Sequence, residues 1–172
     1  MTDSRLDEVA RLFLGLADAE LRFRDELTLV ISRERILDAL TRAREHGFAV
    51  LTDLTAVDRH PGEPRFEVVY LLTSLDPPAR LRLRAPVPGI DPHLPTAVEV
   101  YPAANWLERE VFDMFGIRFA GHPDLKRILM PDDWEGHPLR KDFPLVEEPV
   151  QFFGHVPKPP SAIIPKTPPR QP

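Results

Sequence analysis

The chain has 172 residues, 42% hydrophobic and 28% charged, with 22 basic against 27 acidic side chains and a net charge of −5. Those figures suit one soluble globular domain, and the acidic balance argues against bulk nucleic-acid binding, which needs a basic footprint. Cysteine is absent, which removes disulfides, thiolate zinc sites and iron–sulfur ligation by this chain.

The start, MTDSRLDEVARL, lacks the basic-then-apolar order of a signal peptide. No apolar run approaches the roughly 18–20 residues that span a bilayer. A cytosolic protein is expected, one that reaches a membrane only through partners. Leu6, Val9, Ala10, Phe13, Leu16 and Ala17 recur at helical spacing, so a first helix is expected over 4–17. Residues 22–31 end in LTLVI and turn towards strand character. Ser32 can cap a second helix whose stripe is Ile36, Leu37, Leu40 and Ala43, and Gly47 stops it. Residues 48–58 and 66–75 read as strands. In LRLR (81–84) leucines alternate with arginines, the pattern of a half-buried strand with one basic face.

A third helix is expected from Asn105. Glu108 lies three residues on and suggests a capping-box variant, and Glu108 and Glu110 suit the positive end of the helix dipole. Its buried stripe is Leu107, Val111, Met114 and Phe115, with Arg109 and Asp113 four apart as a surface pair and Gly116 as the stop. The fold class read from this order is α+β over residues 1–120: a small mixed or antiparallel sheet of about four strands with helices packed on it. Residues 121–172 hold twelve of the 21 prolines and are expected to form an extended partner-binding arm and proline-rich tail, with Phe152, Phe153, Ile163 and Ile164 as its apolar contacts. Neither GxGxxG nor GxxxxGK[ST] is present, so the usual phosphate cradles are missing.

Two Gly-His-Pro triplets carry the candidate chemistry. His122 and His137, with Asp124, Asp132 and Asp133 nearby, could ligate a metal or act in acid–base catalysis. Each histidine precedes a proline, which holds its backbone extended, and no His-x₃-His or HExxH helix is formed. No Gly-x-Ser-x-Gly elbow supplies a nucleophile. The competing reading makes each triplet a turn: glycine supplies unusual φ, proline stiffens the exit, and the imidazole bonds a nearby carbonyl. A pre-stiffened loop loses little entropy on docking, and Leu139 and Phe143 flank the charged run Arg140-Lys141-Asp142 as apolar anchors. Docking is the favoured reading, with no catalytic, cofactor or metal residue assigned.

EREVFDMFGIRFAGHPDLKRIL (108–129) resembles the signature of the 30-kDa subunit family of respiratory complex I, the NADH–quinone oxidoreductase. The matching positions are Glu108, Arg109, Glu110, Asp113, Met114, Phe115, His122, Lys126, Ile128 and Leu129. EGHPLRKDFPL (135–145) resembles the family's second hallmark, DLTAVD (53–58) fits upstream, and the likeness covers about residues 30–147. The resemblance implies a subunit without a redox centre, in a membrane-peripheral arm on the cytoplasmic side. NADH, FMN, iron–sulfur clusters and quinone are then handled by other subunits. It implies contact with the 49-kDa subunit and neighbouring iron–sulfur subunits through Glu108, Arg109, Glu110, Asp113, His122, Pro123, Asp124, His137, Pro138, Leu139, Arg140, Lys141, Asp142 and Phe143. Relatives fed by ferredoxin, by a deazaflavin or by a hydrogenase module share the domain. Two readings from other classes stand beside it: a metal hydrolase using His122, His137 and Asp132–Asp133, and an adaptor using the tail as a polyproline ligand.

Overall fold

The computed structural model describes residues 3–24 and 26–144. The expected tail contacts at Phe152, Phe153, Ile163 and Ile164 lie outside these residues. The elements are α1 (Asp3–Leu12), β1 (Ala17–Phe23), β2 (Glu26–Ile31), α2 (Ile36–Glu45), β3 (Val50–Asp58), β4 (Phe66–Leu75), β5 (Pro78–Val87), β6 (His93–Pro95), α3 (Ala104–Phe115) and β7 (Arg118–Ala120). The architecture is α+β, as the pattern of elements implied.

Five strands form one sheet in the order β1-β2-β5-β4-β3, and β6 and β7 make a separate parallel pair. Short turns make β1–β2, β3–β4 and β4–β5 antiparallel, while β2 and β5 run parallel at the centre. Alternation decides which side chains enter the core: Phe66, Val68, Tyr70 and Leu72 of β4 and Leu81, Leu83, Ala85 and Val87 of β5 are essentially inaccessible. They join Ile36, Ala39, Leu40 and Ala43 of α2, Leu6, Val9 and Phe13 near α1, and Val111, Met114 and Phe115 of α3 in one cluster. Each fully buried large side chain contributes about 1.5–3 kcal/mol, so a core of this size outweighs any surface ion pair. The opposite face of the sheet, with Thr73, Arg80, Arg82 and Val69, stays partly open.

Several expected boundaries shift. The first helix stops at Leu12 rather than 17, because Gly15 turns the chain at φ +80 and the apolar pair Leu16–Ala17 leads into β1. The single expected strand over 22–31 is therefore half of a hairpin. Ser32 does not cap α2 with its side chain; Arg35 occupies the cap position without a side-chain bond. The third helix starts at Ala104 behind Ala103, again with no side-chain cap. The Asn105–Glu108 capping box does not form, because Glu108 turns inwards. Gly116 ends the helix in the left-handed region, φ 73, as expected.

Candidate functional site

The second half of α3 and the chain after it form one continuous polar assembly. Its anchor is Asp113, a fully buried carboxylate. One oxygen accepts the backbone N–H groups of Ile128 (3.1 Å), Leu129 (2.8 Å) and Met130 (2.8 Å), and the other accepts Arg127 at 2.6 Å. Burial alone would raise this carboxyl, but the amides and the guanidinium outweigh it and hold it below the usual aspartate value. Arg127 also donates to the carbonyls of Trp134 (2.9 Å) and Gly136 (3.0 Å), so one ion pair pins two stretches of loop. The expected Arg109–Asp113 surface pair is not made. Arg109 instead donates to the carbonyls of Lys126 (3.1 Å) and Arg127 (3.0 Å), and its guanidinium lies 5.2 Å over the ring of Trp106.

Glu108 is also fully buried. Its carboxylate accepts the Thr96 hydroxyl and the Ala97 amide, each at 2.6 Å, and so ties α3 to the chain leaving β6. Burial pushes its pKa up to about 7, against the opposing effect of those two bonds. Of the acidic pair expected to serve the helix dipole, only Glu110 faces solvent.

Both Gly-His-Pro triplets are turns, with Gly121 at φ 84 and Gly136 at φ 85. His122 accepts the Asp124 amide at Nδ1 (3.0 Å), which leaves the proton on Nε2 to donate to the Asn105 carbonyl (3.0 Å). His137 donates from Nδ1 to the Asp113 carbonyl (2.9 Å) and meets Phe112 edge-on at 6.3 Å. Burial lowers its pKa, which favours the neutral ring. The two imidazoles thus serve separate carbonyls, and no group of three or more His, Asp or Glu among the described residues could hold a metal ion. Pro123 and Asp124 are exposed, the latter paired with Lys126 at 2.8 Å.

The charged run after Pro138 was expected to face a partner, and most of it turns back on the domain. Arg140 donates to the Phe115 carbonyl (2.6 Å) and lies 5.4 Å over Phe66. Leu139 and Lys141 contribute backbone amides to the Met114 carbonyl (3.1 Å) and to Asp58 (2.8 Å). Asp142 binds Arg65, which also grips the buried Asp58 at 2.9 Å. Phe143 stacks on Trp134 at 6.4 Å and is not a free anchor. The physical reason is satisfaction: α3 ends with open carbonyls, and the loop's donors are the groups that reach them.

Among the side chains this assembly leaves outside are four large apolar ones. Trp106 is 62% exposed, Leu129 61%, Leu139 53% and Ile128 37%, with Glu110 beside them. The sequence reading missed Asp58, Arg65, Thr96 and Arg127 as members. Their types carried no signal, because each acts through a partner 7 to 83 positions away. Trp106 had a signal, being an aromatic on a helix whose buried stripe does not include it.

Residues 29–149 match the family described as the respiratory-chain NADH dehydrogenase 30 Kd subunit. The corresponding NADH-quinone oxidoreductase subunit of Geobacter sulfurreducens is 51% identical over 125 residues, covering 72% of this chain and 77% of that one. Its counterpart in Roseiflexus castenholzii is 49% identical over 150 residues, covering 84% and 86%. Among solved structures, a trypsin-resistant fragment of Nqo5 aligns with TM-score 0.62 and 36% identity, over 72% of this chain and 98% of that one. A chain of the archaeal membrane-bound sulfane sulfur reductase aligns with TM-score 0.74 and 28% identity, over 84% and 88%. No helix among the described residues is long and apolar enough to cross a membrane.

Proposed function

The chain belongs to the family of the 30-kDa subunit of the respiratory-chain NADH dehydrogenase, a component of NADH–quinone oxidoreductases, and we propose that it is the non-catalytic scaffold that docks the 49-kDa subunit in the peripheral arm of such a complex. It binds no cofactor itself. NADH, FMN, iron–sulfur clusters and quinone are bound and used by neighbouring subunits, and the assembled enzyme translocates protons. The protein lies on the cytoplasmic side of the membrane and reaches it only through the complex.

One observation carries this reading. Glu108, Arg109, Asp113, Arg127, His137 and Arg140 are committed to internal bonds, and they order a loop whose outer surface includes Trp106, Ile128, Leu129 and Leu139. A tryptophan and branched aliphatics on a pre-ordered backbone, rimmed by Glu110 and the Asp124–Lys126 pair, have the composition of an interface centre. Pre-ordering matters because no loop entropy remains to be lost on association. The contact therefore runs through the apolar outer surface, with Glu110, Pro123, Asp124 and Lys141 at its edge. His137, Pro138, Arg140, Asp142 and Phe143 shape it from behind.

Trp106→Ala tests the proposal. The side chain is exposed, so the isolated protein should melt within about 1–2 °C of the parent. Loss of a central aromatic anchor should weaken co-purification with the 49-kDa subunit by at least tenfold, or about 1.4 kcal/mol. Undiminished co-purification, or turnover of NADH or quinone by the isolated chain, would count against it.

A further inference from the structure

The side of the sheet turned away from the helices carries a second surface, independent of the α3 patch. Register sets its composition. On β5, Arg80, Arg82 and Arg84 stand opposite Thr73, Leu71 and Val69 of β4, and Thr28 and Val30 of β2 flank them on the other side. Residues two apart on one strand are separated by about 6.6–6.8 Å, so the three arginines leave the same face of β5 at regular intervals. Between Glu26, Val50, Thr52, Leu71, Thr73, Arg80 and Arg82 lies an open groove of about 500 Å³. It runs into a wider concavity at Phe23, Arg24 and Leu75, whose Phe23 and Leu75 are 70% and 71% exposed.

Charge distinguishes this face from an ordinary solvated one. Arg59 and Arg84 share a single buried carboxylate, Glu67, and Arg82 takes Glu26 at 2.9 Å. Arg24 and Arg80 form no ion pair among the described residues. Burial and the neighbouring Arg59 hold the Arg84 guanidinium below its usual value, as crowding of like charge does. A locally positive, apolar-lined groove on a chain of net charge −5 attracts a ligand unlike the chain itself.

We propose that this groove is a second docking site, and that its occupant is an acidic, aliphatic segment of another polypeptide, with carboxylates meeting Arg80 and Arg82 and branched side chains meeting Val50 and Leu71.

Placing the photo-reactive residue p-benzoylphenylalanine at position 73 puts a probe in the groove beside Arg80. The complex is purified from solubilised membranes, irradiated, and the joined peptides are sequenced by mass spectrometry. The expected product links position 73 to a segment of another chain with at least two Asp or Glu beside Val, Ile or Leu. Adding Arg80→Glu, which breaks no internal ion pair, should reduce that product by at least about tenfold at unchanged melting temperature. No product, a product with lipid, nucleic acid, a neutral or basic segment or this chain's own residues, or one indifferent to Arg80→Glu overturns the proposal. If the 49-kDa subunit still co-purifies in those cases, the scaffold reading survives and only the second site is lost.

Discussion

Replacing Asp113 by asparagine removes one charge with almost no change of volume, and four donors converge on the group it alters. In the wild type, Arg127 and the amides of Ile128, Leu129 and Met130 share the two carboxylate oxygens. An asparagine has one acceptor oxygen. If it faces the three amides, its NH₂ group is aimed at the Arg127 guanidinium; if it faces Arg127, the amides lose their acceptor. Breaking a buried pair by removing one partner costs about 3–5 kcal/mol, because the surviving charge is left uncompensated. For a chain of this size that corresponds to a melting temperature lower by about 10 °C. The same geometry predicts local detachment, since the backbone at Lys126 and Arg127 is tied down by this assembly and by Arg109. Trypsin should therefore cut after both residues several-fold faster in the variant. The pH dependence has a definite sign: the folded carboxyl lies below its unfolded value, so its contribution is complete above about pH 4 and is lost as pH falls. The variant should lack that acid-side loss. A melting temperature within about 1 °C of the parent, together with unchanged cleavage at 126 and 127, would refute the reasoning.

Glu108→Gln should act in the opposite direction on the pH axis. The folded pKa of about 7 lies above the ordinary glutamate value, so the wild type loses stability as pH rises from about 4.5 through 7, by an amount of order 3 kcal/mol. Melting curves from pH 5 to 8 should be flatter in the variant, and a parallel decline in both proteins would contradict the assignment. Gly116→Ala places a methyl group in the left-handed region and against the side chains of His137 and Arg140. It should cost more than about 2 kcal/mol and loosen residues 137–140 in hydrogen exchange, whereas wild-type protection there would sink the argument.

Local chemistry was enough to locate most of the elements. The apolar run at 66–75, the alternation at 81–84, the stripe Val111–Met114–Phe115 and the stop at Gly116 were legible because composition, alternation, helical spacing and left-handed φ are properties of a few neighbouring residues. The family, too, was legible in a stretch of about twenty residues, and the turn character of both Gly-His-Pro triplets followed from glycine and proline alone. Other features depended on distant parts of the chain. The parallel pairing of β2 with β5 joins strands separated by α2 and a hairpin, and the parallel pair β6–β7 rests on segments too short to carry a pattern.

The direction in which each charged side chain of the signature points was decided only by tertiary structure. Glu108, Arg109, Asp113 and Arg140 look like surface charges when read along the sequence. The fold brings open carbonyls at the end of α3 and unpaired amides at 128–130 within their reach, and a buried polar group left without a partner costs more than an exposed ion pair returns. The polar residues therefore turn inwards, and Trp106, Ile128 and Leu129 remain facing out.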